Sequence, residues 1–430
     1  MPKIQRIWAR EILDSRGTPT VETACQLDNG LVVASSVPSG ASTGSYEALE
    51  LRDGDENRYH GKGVLNAVAN VNQVIGPAVI KQQLDPTNQQ QVDQFLIKLD
   101  GSENKSKLGA NSILAVSAVI SKAGAASQGM ALYKWINLLI RQVGLQPNLH
   151  VPTPIFNMIN GGLHGAGNLD FQEFHVIPAS FKTFSEGLRM GVEIYKVLGS
   201  NLASRGAIHS VGDEGGYAPN LFTNADAFEI LLEAIRKTTY QMGRDVFLGL
   251  DVAADSFYKN GTYVIRDKTT PMNEATFIEY YKGLNGAYHF ALMEDPLHED
   301  AWGGWHKLKE EIGDQVVLVG DDLLATNMKR VQKAIQEKAC SAVLIKPNQI
   351  GTVTETLQVI KMTRDAGWKV VVSHRSGETN DYFIADFAVG VGADYAKFGA
   401  PARGERIVKY NRLTAIEAEI SSLQHGSPQQ

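Results

Sequence analysis

Cysteine and long apolar runs are both scarce in this sequence. Its 430 residues include two cysteines, Cys25 and Cys340, which fall in different predicted domains. This excludes a disulfide scaffold and favours a reduced, cytosolic setting. No stretch approaches the roughly 18 uncharged apolar residues of a membrane-spanning helix, and the N-terminus lacks the apolar run of a signal peptide. We therefore expect a cytoplasmic protein with no membrane partner.

Basic clusters and the motifs of zinc or nucleotide sites are also missing. The formal net charge is -6 with 20% charged residues, and Lys and Arg form no run that would follow nucleic-acid phosphates. His298 and Glu299 are followed by Trp302 where the zinc motif H-E-x-x-H needs a histidine. No lysine follows Gly44 in the loop at residues 38–45, so this loop is not a Walker A loop. Nucleic acid is not expected as the main partner.

The sequence does contain a series of apolar runs that stop on a charged or polar residue. The first three stop on the acids Asp251, Glu294 and Asp321. A single acid after a strand could simply cap the next helix, but three in register favour a cation site. From Glu294 onward, such positions recur every 23 to 28 residues, the period of a βα repeat. The later runs end at Lys346, His374 and Lys397.

Continuous apolar strands separated by amphipathic helices predict a parallel sheet that is covered on both faces. Enough such units close into a barrel, whose catalytic groups lie at the C-terminal ends of the strands. The predicted site would hold carboxylates on one side and two lysines opposite. Oxygen ligands without nitrogen or sulfur favour Mg2+ over zinc.

A smaller domain precedes the barrel in this interpretation. Residues 3–37 alternate as antiparallel strands do, with a hairpin turn at residues 28–30. Helical periodicity follows over residues 64–75 and 113–126, which indicates an α+β domain. Gly144, Pro147 and Pro152 mark the boundary region, so we predict domains at residues 1–140 and 141–430.

Two glycine-rich loops of the predicted barrel carry ionisable residues. The loop at residues 160–168 contains His164, and its glycines do not fit the dinucleotide pattern G-x-G-x-x-G. It is interpreted as a lid over an active site, with a plain solvent loop as the alternative. The second loop, at residues 211–216, holds Asp213 and Glu214 among glycines that permit close approach of a ligand.

Taken together, these segments resemble the enolase family, and the similarity runs from residue 10 to residue 411. The resemblance rests on seven motifs that occur in the family's order. They are residues 39–44, 172–174, 212–216, 294–296, 320–323, 345–351 and 373–379. The resemblance implies an α/β fold, a modified TIM barrel of the form ββαα(βα)6 with an N-terminal α+β capping domain. It also implies the reversible, Mg2+-dependent dehydration of 2-phosphoglycerate to phosphoenolpyruvate in glycolysis and gluconeogenesis, by a homodimer or an assembly of dimers.

The resemblance also implies a role for each matching residue. Two Mg2+ ions would bind per site, the first to Asp251, Glu294 and Asp321 and the second with help from Ser42, which also contacts the substrate. The remaining roles are Lys346 as base, Glu214 as acid, Arg375 and Ser376 as the phosphate site, and Glu173, His164, His374 and Lys397 as further catalytic groups, of which Glu173, His164 and Lys397 also bind substrate.

These roles require particular protonation states. A lysine base must lose its proton, so cations and Lys397 are expected to lower the pKa of Lys346. A carboxylic acid must keep its proton, so Glu173 is expected to hold Glu214 protonated. The chain departs from the usual family pattern at residues 165–167, Tyr382 and Phe398. Two other functions stay open, a different lyase or racemase acting on a carboxylate with an α proton, and a non-catalytic scaffold.

Overall fold

The computed structural model describes residues 2–40, 44–165 and 169–424. Ser42 and part of the predicted lid, residues 166–168, therefore lie outside the described residues. Among the described helices, none is long and apolar enough to cross a membrane. Cys25 and Cys340 are both buried and unpaired, which agrees with the prediction that no disulfide joins the two domains.

The chain begins with an antiparallel three-stranded sheet in the order β1-β2-β3. The strands are β1 (Ile4–Leu13), β2 (Pro19–Leu27) and β3 (Val32–Ser36). Gly30 has φ +86° in the turn between the last two strands, a left-handed conformation that glycine adopts without a Cβ penalty. The predicted hairpin is confirmed.

Five α-helices follow, of which α1, α2 and α4 pack against this sheet. The predicted helical face at residues 64–75 is confirmed, because Val64, Val71 and Ile75 are fully buried, although a π-helical turn at Asn70–Ile75 interrupts the α-helix. The helices are α1 (Leu65–Ala69), α2 (Gly76–Lys81), α3 (Gln89–Asp100), α4 (Ala110–Ser127) and α5 (Leu132–Gln142). Helix α4 is apolar around most of its circumference because it packs against β2 and β3 on one side and the barrel on the other.

The rest of the chain forms a closed barrel of eight strands surrounded by helices. Its elements are β4 (Thr153–Asn160), β5 (Glu173–Pro178), α6 (Phe184–Ser204), α7 (Asn224–Arg236), β6 (Val246–Asp251), the short pair β7 (Tyr258–Lys259) and β8 (Thr262–Tyr263), α8 (Glu274–Tyr288), β9 (Phe290–Glu294), α9 (Trp302–Ile312), β10 (Val317–Gly320), α10 (Met328–Gln336), β11 (Ala342–Ile345), α11 (Val353–Asp365), β12 (Lys369–Ser373), α12 (Phe383–Gly390), β13 (Tyr395–Lys397) and α13 (Gly404–Gln424).

Strand direction confirms the predicted ββαα(βα)6 order. Strand β5 pairs antiparallel with both β4 and β6, whereas the other neighbouring strands are parallel and β13 closes the barrel on β4. Branched and small apolar side chains from most of the barrel strands fill the interior, as in other packed barrels. They include Ile155, Ile177, Leu292, Val319, Leu344 and Val371.

Two apolar cores correspond to the two parts of the chain. The first core contains buried residues between Ile4 and Ala123, and the second includes the barrel. Helix α5 packs against α12 and contributes to the second core. The division between residues 140 and 141 stays a prediction, and it falls within α5 (Leu132–Gln142), which packs with the barrel.

Candidate active site

The carboxyl ends of the parallel barrel strands converge on one cleft of about 510 Å³. This convergence follows from strand direction, since parallel strands bring their last residues to the same rim. Most predicted site residues line the cleft, and Glu294 lies beneath it, in contact with Lys397. Those lining it are His164, Glu173, Glu214, Asp251, Asp321, Lys346, His374, Arg375, Ser376 and Lys397.

Lys397 joins three carboxylates at the floor of the cleft. Its Nζ lies 2.8 Å from Oδ2 of Asp251, 2.8 Å from Oε2 of Glu294 and 3.4 Å from Oε1 of Glu173. Burial lowers the pKa of Lys397, but these carboxylates outweigh it and raise that pKa well above its ordinary value. These contacts favour the ammonium form of Lys397, which neutralises part of the acidic cluster.

Glu294 keeps one carboxylate oxygen without a protein partner. Its Oε1 is buried and has no hydrogen bond within the described structure, which is costly for a carboxylate. Burial and the neighbouring charge of Asp251 raise the pKa of Glu294 well above its ordinary value. An oxygen in this state fits a cation ligand, because a bound cation would satisfy the lone pair and stabilise the ionised form.

Asp321, the third predicted metal ligand, is engaged by Lys346. Nζ of Lys346 lies 2.5 Å from Oδ2 of Asp321, and Gln349 donates to Oδ1 at 3.1 Å. Two sets of side chains among the described residues have ligand atoms close enough to share an ion, His164 with Glu173 and Glu214, and Asp321 with Asp295 and Asp322. The predicted set of Asp251, Glu294 and Asp321 is not one of these two, so it stays a prediction.

Asp295 explains how Asp321 is positioned. Asp295 has φ 39°, so it leaves the strand in a left-handed conformation. Its carboxylate accepts hydrogen bonds from the backbone N–H of Asp321 at 2.9 Å and of Asp322 at 2.7 Å. The two consecutive acids at the end of β9 thus have different roles, since Glu294 contacts Lys397, whereas Asp295 positions the two residues that follow β10.

The protonation states of the expected base and acid depend on the charges around them. Burial lowers the pKa of Lys346, but without a bound cation Asp321 outweighs burial and the net pKa is raised. The lowering expected from bound cations stays a prediction. Burial and Glu173 favour the protonated form of Glu214, yet His374 and His164 outweigh them and lower its pKa to about 2. Glu214 is therefore ionised at neutral pH, and the expectation that Glu173 holds it protonated was wrong.

Two histidines flank Glu214. Nδ1 of His164 lies 3.6 Å from both Oε1 of Glu173 and Oε1 of Glu214, and Nε2 of His374 lies 3.2 Å from Oε2 of Glu214. Burial lowers the pKa of His164, but Glu214 outweighs it and the net pKa is raised. His374 goes the other way, because burial lowers its pKa more than Glu214 raises it. The proton of this cluster is thus favoured on His164.

Arg375 is held by a carboxylate from the N-terminal domain. Its Nη1 and Nη2 donate to Oε2 and Oε1 of Glu47 at 2.9 and 3.2 Å. This is the two-point geometry by which a guanidinium also binds a phosphate. Ser376 lines the cleft close by, and its carbonyl accepts a hydrogen bond from Arg406 at 2.6 Å.

Sequence reasoning missed Glu47 and Arg406, which touch the site from outside the barrel strands. Glu47 follows the glycine and serine loop at residues 38–45, and that proximity was its only local signal. Arg406 lies in α13, where nothing in the sequence distinguishes it from the neighbouring basic residues. The glycines around Glu214 have a different role from the one expected, since a Cβ at Gly216 would lie 2.6 Å from Oδ1 of Asn160. Gly216 permits protein packing there.

Of the departures from the family pattern, Gly165, Tyr382 and Phe398 lie within the described residues, and the last two carry large side chains. Phe398 is fully buried and its ring lies 6.2 Å from that of Tyr410, so it packs behind Lys397 in the core. Tyr382 is 45% exposed and lies near Lys122 and Arg412. Neither side chain enters the cleft.

The fold and the site together define a barrel enzyme with an N-terminal capping domain. The chain matches the description "Enolase, N-terminal domain" over residues 4–136 and "Enolase, C-terminal TIM barrel domain" over residues 148–427. It therefore belongs to the enolase family, which is a family of lyase-type enzymes.

Proposed function

We propose that this protein catalyses the reversible dehydration of 2-phosphoglycerate to phosphoenolpyruvate. The observation that carries the proposal is one cleft that combines a lysine paired with an acid, a carboxylate flanked by two histidines, and a guanidinium. These are the groups that proton removal, loss of a hydroxyl group and recognition of a phosphate each require.

Lys346 is the proposed base. Lys346 can accept the proton from C2 only as a free amine. Its ammonium must therefore first lose the ion pair with Asp321, and the Asp321 carboxylate must be engaged by another partner. Lys397 adds a second positive charge to the cleft, which disfavours the ammonium form of Lys346. The electrons of the broken C2–H bond pass into the substrate carboxylate.

Glu214 is the proposed acid, in partnership with His164. Hydroxide leaves C3 and takes a proton to become water. The negative charge of a bound phosphate and carboxylate would raise the pKa of Glu214 and favour transfer of the His164 proton to it. His374 and Glu173 hold this pair from the other sides.

Two Mg2+ ions are the proposed cofactors. Asp251, Glu294 and Asp321 would hold the first ion, and the partnerless Oε1 of Glu294 fits that assignment. Ser42 is the predicted ligand for the second ion and lies outside the described residues. When bound to the substrate carboxylate, divalent cations stabilise the charge that develops there after proton removal.

A direct absorbance assay tests the proposed reaction. Purified protein is mixed with 2-phosphoglycerate, and formation of the enol product is followed in the ultraviolet with Mg2+ and with a chelator. We expect turnover only with Mg2+. Absence of turnover by the folded protein with saturating Mg2+ would reject the proposal.

We also propose that the protein forms homodimers, or assemblies of dimers, and that it acts in the cytoplasm. The N-terminal segment at residues 10–16 carries Arg10, Glu11 and Arg16, which resemble the family's interface segments. Light scattering at micromolar concentration should give at least twice the chain mass of 46.8 kDa, and a purely monomeric protein would contradict this.

A further inference from the structure

Arg406 is a buried charge that the proposed reaction does not use. It lies in α13, outside the barrel strands, and has no exposed surface. A buried guanidinium is costly unless its N–H groups are satisfied, so its partners show what it stabilises. Its Nη atoms donate to three backbone carbonyls, of Asp213, Arg375 and Ser376, and to one ring nitrogen, Nδ1 of His374. Its Nε forms no hydrogen bond within the described structure and lies 3.4 Å from Oε1 of Glu405.

The contact with His374 has a chemical consequence. Nη1 of Arg406 lies 2.7 Å from Nδ1 of His374. A guanidinium has only donors, so Nδ1 must be the acceptor in this hydrogen bond and cannot carry a proton. In a neutral imidazole the proton then has to be on Nε2.

Nε2 of His374 is the ring nitrogen on the active-site side. It is buried and forms no well-aligned hydrogen bond within the described structure, while Oε2 of Glu214 lies 3.2 Å away. An N–H at this place can donate to Glu214 or to an oxygen of bound substrate. With the opposite tautomer, a lone pair would face the Glu214 carboxylate and repel it.

We propose that Arg406 is a positioning residue that holds His374 in its neutral tautomer with the proton on Nε2, so that this N–H faces Glu214 and the substrate. The guanidinium of Arg406 is held in place because it donates to the backbone carbonyls of residues 213, 375 and 376, which border the site. The effect on turnover rests on the proposed function, whereas the tautomer itself does not.

The tautomer can be measured in the unmodified full-length protein. Ring 15N chemical shifts of labelled histidine distinguish a protonated nitrogen from one with a lone pair, and His374→Gln assigns the signals. We expect Nε2 protonated and Nδ1 unprotonated in the resting protein at neutral pH. Protonation at Nδ1, or at both nitrogens, would overturn the proposal whether or not the protein turns over 2-phosphoglycerate.

Two substitutions separate donor character from packing. Lysine at this position can only donate, so Arg406→Lys should keep the Nε2–H tautomer. The amide of Arg406→Gln can donate or accept, so this variant should show mixed tautomers and lose at least about 10-fold in kcat with a smaller change in KM, as a histidine held in the wrong tautomer does elsewhere. If both variants fold and keep the parent's tautomer and kcat, the proposal is wrong.

Arg412→Gln is the matched control. Arg412 lies on the same helix and donates to Asp386 at 2.7 and 2.9 Å. None of its described hydrogen bonds involves His374. This variant removes an arginine and its ion pair from α13, so it reports any general weakening of the helix. It should leave both the His374 shifts and kcat within about 2-fold of the parent, and an equal effect of Arg412→Gln and Arg406→Gln would assign Arg406 to packing alone.

Discussion

Glu47 and Arg375 form a two-point ion pair although 328 positions separate them in the chain. The distances are 2.9 and 3.2 Å, and the pair joins the N-terminal domain to the rim of the barrel. In the proposed function, a substrate phosphate that binds Arg375 must therefore either displace the Glu47 carboxylate or share the guanidinium with it.

We predict that Glu47→Gln tightens the binding of inorganic phosphate. The amide keeps an oxygen acceptor for Arg375 but removes the negative charge that opposes an anion, so affinity should rise by up to roughly 10-fold, about 1.4 kcal/mol. Titration calorimetry with phosphate measures the change. Glu103→Gln, which removes an exposed carboxylate that is 82% accessible, is the control and should leave affinity unaltered. Weaker phosphate binding by Glu47→Gln alone would mean that Glu47 supports the anion site.

The proposed base and acid can be separated by proton exchange. Lys346→Ala should abolish exchange of the C2 proton of 2-phosphoglycerate with deuterated solvent, because no other group takes that proton. Glu214→Gln should slow overall dehydration by about 100-fold or more yet retain much of the exchange, because loss of hydroxide follows proton removal. Nuclear magnetic resonance of the substrate follows both. Exchange at the parent rate in Lys346→Ala would show that the base is a different group.

Mg2+ should stabilise the protein as well as activate it. Asp251, Glu294 and Asp321 crowd negative charge that Lys346 and Lys397 only partly neutralise, and ligand binding to the folded state alone raises stability. Thermal scans should show a modest rise in Tm on adding Mg2+.

The rise in Tm should depend on Glu294. Glu294→Gln should reduce it strongly, whereas Glu310→Gln, at a residue that is 67% exposed, should not. A parent Tm that is indifferent to saturating Mg2+ would count against the metal site.

Asp381 links the two domains in a pH-dependent way. Its carboxylate accepts from Lys122 at 2.7 and 2.8 Å and from Ser36 N–H at 2.8 Å. Burial raises its pKa, but Lys122 outweighs burial, and the net pKa is lowered. A lowered folded-state pKa stabilises the protein above the unfolded value of about 3.9, and this stability is lost as pH falls through the folded value.

Asp381→Asn should therefore lower Tm at pH 7 by a few degrees, corresponding to about 1–3 kcal/mol. The difference from the parent should shrink as the pH falls below about 3.9. Calorimetric scans across that range measure it. Asp365→Asn removes the exposed ion pair with Lys361 and should have almost no effect at any pH. If the Tm of Asp381→Asn stays below that of the parent by a constant amount down to the lowest pH, the substitution has removed packing at this position and not a charge interaction.

Much of the barrel could be predicted because its signals are local. The run at residues 246–251 was predicted to end on Asp251, and β6 spans Val246–Asp251. In the sequence, Thr183 and Glu186 have the spacing of a capping box, and in the structure Thr183 caps α6 in a reciprocal capping box with Glu186. In each case the deciding groups lie within a few residues of one another.

The protonation states of the site could not be predicted in the same way. Lys346 was expected to have a lowered pKa and Glu214 to stay protonated, yet without a bound cation Asp321 raises the first pKa, and the histidines lower the second. Each shift is a balance between burial and charges that come from other strands. The sign of such a balance depends on distances of a few ångströms.

By itself, the sequence determined which strand-end residues reach the carboxyl rim of the barrel, because strand length and the βα period decide where each run ends. Only the tertiary structure decided what those residues contact there. Glu47 reaches Arg375 from another domain, and Arg406 reaches His374 from the last helix. Neither pairing leaves a periodic or compositional trace, because electrostatic and hydrogen-bond energies depend on separation in space, whereas the local patterns of a sequence record only separation along the chain.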